Sequence, residues 1–356
     1  MSNIIQLPGL IDIHVHLRDP GQTYIEDFFT GTTAALAGGV TTVFDMPNNL
    51  EPIFTYEKLI EKSNIAKSKA VTDFGLYFGT DGNNIDEFAK VKDLVVGLKI
   101  YLTLTTGKYL LENGKKLEEV FRSWSKEKVV VIHAQGDKID LAISLGQRNN
   151  NKIHITHIST RIDLEKILKA KKAGLNITCD VTPHHLFLTH LDEKRLGGFG
   201  QMKPPLSTQD DLVFLWNHLK EIDCIATDHA PHTIEEKKSN NIPSGVPGLE
   251  TMLPLLLTAV REGRLTIEEI IRLTNTNPQK IFGYKQDPDN YVEVDLDEKY
   301  AIENRKLRTK CSWSPFAGRE VYGRIQSVFI RGNKVFENGE VLVKPGFGKN
   351  VISQKV

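Results

Sequence analysis

Cysteine is scarce in this chain. The three present, Cys179, Cys224 and Cys311, lie far apart, with no CxxC pair among 356 residues. That excludes a small domain stapled by disulfides and favours a reducing compartment. Charge of one sign is also missing, since 45 basic side chains are matched by 45 acidic ones. A chain without a net field has nothing to draw nucleic acid or anionic lipid towards it. Long hydrophobic runs are lacking as well. The opening stretch MSNIIQLPGLIDIHVHLRD has no basic n-region and is broken by Pro8 and Asp12, so it does not read as a signal peptide. The most apolar helical stretch, 249–260, contains Glu250 and Pro254 and is too short to span a bilayer. A cytoplasmic protein with neither membrane nor nucleic-acid partners is expected. With 40% hydrophobic residues it has enough apolar material to bury a large core.

What is there is an alternation. Short runs rich in β-branched residues occupy 11–15, 40–45, 73–78, 95–101, 129–133, 153–157, 175–181 and 222–227. Helical patterns lie between them at 56–70, 115–126, 161–173 and 210–220, and two more follow at 249–262 and 266–274. Strands alternating with helices predict parallel β/α units, and eight of them suit a closed (β/α)₈ TIM barrel. An open doubly wound sheet would alternate in the same way. The polar residues separate the two, because His14, His16, Lys99, His133, His157, Asp180 and Asp228 all fall at or near C-terminal strand ends. A barrel gathers those ends at one mouth, whereas an open sheet spreads them along a line. From Cys311 onward the texture changes to short strands at 321–331, 334–337 and 341–344, with turns at Gly332–Asn333 and Asn338–Gly339. The expected division is a barrel over 10–310 and a small β-rich appendage over 311–356 together with 1–9. Residues 233–248, rich in Lys, Asn, Pro and Gly, read as a long loop on the catalytic face.

His14 and His16, one residue apart on a strand, point to one face and can grip a divalent cation as neutral imidazoles. An isolated HxH is weak evidence, but here His133 and His157 end the fifth and sixth strands. Lys99 ends an apolar strand, GLKIY, and a buried lysine needs a partner or a task. It either reaches an acid such as Asp228 or Asp180, or is carboxylated by CO₂ into an anionic bridge between two metals. Asp228 ends the eighth strand, which adjoins the first when a barrel closes, so it can reach the cation of His14 and His16 and take a proton from water. Two divalent metals in such a set generate hydroxide near neutral pH, and zinc suits the imidazole-rich ligands. Arg18 and Asn48 follow the first and second strands and offer donors to an anionic substrate group. Arg18 could equally pair with Asp19 or Glu26. His232 is a candidate substrate contact, His229 a candidate support, and at least one of His184 and His185 reads as structural.

The motifs HVHLRDPG, MPNN, GLKIY, VIHA, ITHIS, CDVTPHHL, KPPL and TDHAPH occur in this order over nearly the whole chain. In this the sequence resembles the dihydroorotases of the amidohydrolase superfamily, especially the animal type found in multifunctional pyrimidine-biosynthesis proteins. The resemblance implies two Zn²⁺ per chain. His14, His16, Asp228 and carboxylated Lys99 would hold one, and Lys99, His133 and His157 the other. It implies that Arg18, Asn48 and His232 bind the substrate carboxylate, with Lys203 and Thr105 or Thr106 as further contacts and 103–107 as a lid. The reaction implied is reversible cyclisation of N-carbamoyl-L-aspartate to dihydroorotate and water, with Asp228 as general acid and base. A homodimer and association with aspartate transcarbamoylase are implied as well.

The chain departs from the family at Asp180 (usually Glu), Thr156 (Cys in animal-type members), Gln135 (commonly Glu) and Lys203 (Arg or Asn). Asp180 and Thr156 stand at positions associated with an additional metal, and the exchanges argue against a third site. Allantoinases and dihydropyrimidinases share the metal set, but Arg18 favours an acidic substrate over a neutral ring. An inactive homologue kept as a scaffold for aspartate transcarbamoylase should have lost metal ligands, and these remain.

Overall fold

The computed structural model describes residues 3–104 and 109–354. Among them, eight strands form one parallel sheet in sequence order: β2 (Leu10–Val15), β3 (Val40–Asp45), β4 (Asp73–Gly79), β5 (Gly97–Tyr101), β6 (Val129–His133), β7 (Ile153–Ile155), β8 (Ile177–Val181) and β9 (Cys224–Ile225). The sheet closes where Val15 bridges His229 and the His16 N–H donates to the His229 carbonyl at 2.8 Å. The TIM barrel expected from the alternation is therefore present. Three of its helices begin at hydroxyl caps: Thr55, Thr160 and Thr208 accept the N–H groups of Lys58, Asp163 and Asp211.

Strand parity sorts the side chains. Leu98 and Ile100 on β5 and Ile153 and Ile155 on β7 face the helix layer and join the main core. Ile11, Ile13, Phe44, Tyr77, Val129, Val131 and Cys224 point inward and pack with Phe282 and Tyr284 as a second apolar cluster. The barrel is thus filled with side chains, not hollow, and its polar residues gather at the other, C-terminal strand ends. In the helix layer Trp124, buried edge-on against Phe88, donates its indole N–H to the Lys128 carbonyl at 3.2 Å. Truncating Trp124 to Ala is expected to cost about 3–5 kcal/mol of stability in a denaturant titration, because the void cannot collapse fully.

A second, antiparallel sheet pairs β1 (Ile4–Pro8), β10 (Tyr291–Ala301), β11 (Glu320–Ile330), β12 (Asn333–Glu337) and β13 (Glu340–Val341) in that order. Strand β10 lies ahead of residue 311, where the sequence texture places the start of the appendage. Its pattern YVEVDLDE alternates as a half-buried strand should, yet its acidic residues disguise it as a loop. Both hairpin turns use two residues of positive φ, Arg331–Gly332 and Asn338–Gly339. The first sits one residue earlier than the Gly332–Asn333 position expected. The loop after the eighth strand contains a helical turn, Ile234–Lys237. Among the described residues no helix is long and apolar enough to cross a membrane.

Candidate metal centre and active site

The first strand and the end of the eighth meet at the mouth. Asp228 Oδ1 lies 3.0 Å from His16 Nε2 and 3.3 Å from His14 Nε2. Ligand atoms of the three residues all fall within 4.8 Å of one another, close enough for one cation. His133 Nδ1 and His157 Nε2 face each other at 2.8 Å, and the His157 ring is 5.4 Å from that of His14. The two histidine pairs therefore abut. Lys99 is fully buried and its Nζ reaches Thr156 Oγ1 at 3.3 Å.

Three residues of the site have positive φ without being glycine: Arg18 at 62°, His157 at 43° and Asp228 at 47°. Such conformations cost free energy and persist only where the surroundings over-determine them. For His157 the determinant is Asp180. One carboxylate oxygen accepts the His157 N–H at 2.7 Å and the other faces His154 Nε2 at 2.9 Å. Both oxygens of Asp180 are thus occupied by protein groups. Alternation along β7 turns His154 and Thr156 inward, and the left-handed turn at His157 then brings a second imidazole to the same side.

Burial holds the imidazoles neutral. His14, His16 and His157 are pushed well below the usual histidine range by desolvation, and His133 down to about 3, with the Lys99 charge adding to the effect. Burial also lowers Lys99 and raises Asp228, each opposed by the other's charge. Neutral imidazole is the metal-binding form. Three buried ring nitrogens, His14 Nδ1, His133 Nε2 and His157 Nδ1, have no hydrogen-bond partner among the described residues. Asn48 Oδ1 lies 2.7 Å from His16 Nδ1 and can only accept, so that nitrogen carries the proton and Nε2 offers its lone pair. The donor set fits divalent cations.

The pocket is lined by His14, His16, Arg18, Asn48, Tyr101, His133, His157, Lys203, Asp228, Ala230, Ser244 and Gly245. Lys203 is exposed at its rim. His232 stands behind Arg18, with Nε2 at 3.2 Å from Arg18 Nη2 and Nδ1 at 3.1 Å from Glu236. Thr105 and Thr106 lie outside the described residues. Tyr101, Asp12 and His154 were not among the candidates. Tyr101 shares the parity of Lys99 and could have been found from it. Asp12 accepts the N–H groups of His14 and Thr227, joining the first and last strands, and burial pushes it up to about 7. A larger cavity of about 630 Å³ lies over the antiparallel sheet, where Arg324 pairs with Glu298, and Arg305 and Lys306 pair with Glu303. It brings together none of the candidate residues.

Comparison with known proteins bears on this geometry. The multifunctional protein CAD of Squalus acanthias is 44% identical over 349 residues, 98% of this chain but only 16% of that protein. The chain thus spans about one sixth of the length of that relative. A dihydroorotase of Pyrococcus horikoshii is 37% identical over 368 residues, covering 98% of this chain and 85% of that one. Among solved structures, L-hydantoinase (dihydropyrimidinase) from Arthrobacter aurescens superposes with a TM-score of 0.92 at 27% identity, covering 98% of this chain and 88% of that one. The inactive dihydroorotase-like domain of a Chaetomium thermophilum CAD-like multifunctional protein gives a TM-score of 0.84 at 28% identity, covering 98% and 99%. The amidohydrolase family model matches residues 5–287, which spans the whole barrel and every candidate residue of its mouth, and the chain belongs to that family.

Proposed function

We propose that the chain is a dihydroorotase, interconverting N-carbamoyl-L-aspartate and dihydroorotate in the cytoplasm. The carrying observation is the joined cluster of His14, His16 and Asp228 with His133 and His157, beside a buried Lys99 and an arginine in the same pocket. Dihydroorotase relatives, one of them similar over 85% of its length, support the substrate. The free, buried thiols of Cys179, Cys224 and Cys311 support a reducing compartment. The solved domain described as inactive raises a scaffold as the second reading, and the retained ligand cluster speaks against it.

In this reading His14, His16 and Asp228 would hold one divalent cation and His133 and His157 a second, Lys99 as its carbamate would supply a further anionic ligand, and Asp180 orients His157. Bound cations would polarise the ring carbonyl and lower the pKa of water, which is the chemistry that opens an amide near neutrality. Arg18, the amide nitrogen of Asn48 and His232 bind the substrate carboxylate, with His232 also beside Arg18. In ring opening, Asp228 takes a proton as water adds to the carbonyl carbon. It passes that proton to the ring nitrogen as the C–N bond breaks. Closure runs the same steps backwards, with nitrogen attacking the β-carboxyl carbon and water leaving.

The deciding experiment measures both directions with purified protein and determines metal on the same sample. Turnover in both directions that disappears on chelation and returns with Zn²⁺ is expected. A folded, metal-loaded sample without turnover would sink the proposal. Arg18→Ala should raise KM for dihydroorotate about 10- to 100-fold, the value of a charge-assisted hydrogen bond to a carboxylate. An unchanged KM would remove Arg18 from the carboxylate site. Homodimerisation and association with aspartate transcarbamoylase rest on the sequence resemblance, and sedimentation with and without that enzyme tests both.

A further inference from the structure

Lys62 is a charged side chain with no exposed surface, on the helix Tyr56–Lys69, outside the pocket and outside the motifs singled out in the sequence. Burying an ammonium is costly unless partners replace its water. Its partners are unusual in where they lie. Nζ forms an ion pair with Asp45 Oδ2 at 2.5 Å and donates to the Met46 carbonyl and to Asn49 Oδ1, both at 2.7 Å. All three belong to the segment that carries Asn48. Each partner then reaches across to the segment that carries Arg18. Asp45 Oδ1 accepts the Leu17 N–H at 2.7 Å, Asn49 Nδ2 donates to the Pro20 carbonyl at 3.0 Å, and the Met46 N–H donates to Val15 at 2.9 Å. Arg18 lies between those anchors with φ at 62°, a conformation that its neighbours must impose.

We propose that Lys62, through Asp45 and Asn49, is a positioning residue for the substrate's anionic end: it locks the Arg18 and Asn48 segments in register so that both donors converge on one carboxylate. This rests on the dihydroorotase reading above. Lys62 itself does not touch substrate. An apolar side chain at 62 could fill the same space, but it could not hold Asp45, Met46 and Asn49 where they reach the neighbouring segment, as one ion pair and two hydrogen bonds do. Two donors that must meet one carboxylate tolerate little misplacement, so loosening the register should weaken binding of the acidic substrate first.

The test uses the whole chain with metal loaded. Lys62→Met combined with Asp45→Asn removes the buried charge pair while leaving an oxygen for the Leu17 N–H, so no lone carboxylate is stranded. Asn49→Ala is the milder variant, since it cuts the link to Pro20 and one hydrogen bond of Lys62 but leaves the Lys62–Asp45 ion pair in place. For both, KM for dihydroorotate and for N-carbamoyl-L-aspartate should rise about tenfold, the loss of roughly one charge-assisted hydrogen bond. The kcat and the metal content per chain should stay near wild type, and general loosening of the barrel would lower both. Should the double variant fail to fold, Asn49→Ala still decides the matter. Unchanged KM values in a folded Asn49→Ala protein, or a fall in kcat with KM unaltered, would overturn the assignment. Wild-type protein without dihydroorotate turnover would instead overturn the functional reading on which it rests.

Discussion

Asp228→Asn should lower kcat for dihydroorotate ring opening by about 10³- to 10⁴-fold, the upper range for removing a positioned proton-transfer group. The exchange preserves shape and size, so the contacts of Asp228 with His14 and His16 can be kept while its ability to exchange a proton is lost. Burial raises this carboxyl, which suits a group that must bind a proton and release it again within one turnover. Because Asp228 is also a proposed ligand, metal content must be measured on the same sample. Full metal with the rate lost would assign the defect to proton transfer. A rate within tenfold of wild type would refute the role given to Asp228.

Lys99→Ala should be comparably severe, with a loss of about 10³-fold or more in turnover and a fall in bound metal. Lys99 stands on β5 between Gly79 of β4 and Val131 of β6, facing the barrel interior, and its Nζ is within reach of Thr156 alone as a hydrogen-bond acceptor among the described residues. Burial favours its neutral amine, the form that can react with CO₂ to give a carbamate. If that carbamate bridges the two histidine clusters, a short carboxylic acid added to the Lys99→Ala protein should restore part of both metal and activity. Loss of activity with metal retained and no rescue would point to a lysine acting directly as a cation. Wild-type rates would remove Lys99 from the mechanism altogether.

The extent to which the site was legible in the sequence varied with how each residue reaches it. Lys99 was accessible because strand parity is rigid: Leu98 and Ile100 are committed to the helix layer, so Lys99 must turn inward. The same parity would have found Tyr101. His157 is the opposite case. Alternation along Ile153–Ile155 assigns His154 and Thr156 to the interior, and the positive φ at His157, beside Asp180 of the next strand, accompanies the turn of that ring towards His133 and His14. Asp180 read from sequence as one more polar strand end among the possible ligands. Its two oxygens are spent on His157 and His154, a pairing between strands that no local pattern announces. His232 read as a substrate contact, and its ring lies 3.2 Å from Arg18 Nη2, a pairing that the sequence did not announce.

By itself the sequence determined the alternation of strands and helices, the hairpins near the C-terminus and the set of imidazoles, lysine and carboxylate that a metal would need. These follow from short-range rules, because periodicity, turn chemistry and ligand type are properties of a few neighbouring residues. Tertiary structure alone decided that β10 leaves the barrel for the antiparallel sheet, that Asp180 meets His157 and His154, and that Lys62 is buried against Asp45, Met46 and Asn49. Each of these depends on closing contacts between segments tens to hundreds of residues apart. Strained backbone at Arg18, His157 and Asp228 is stable only once those distant partners are in place.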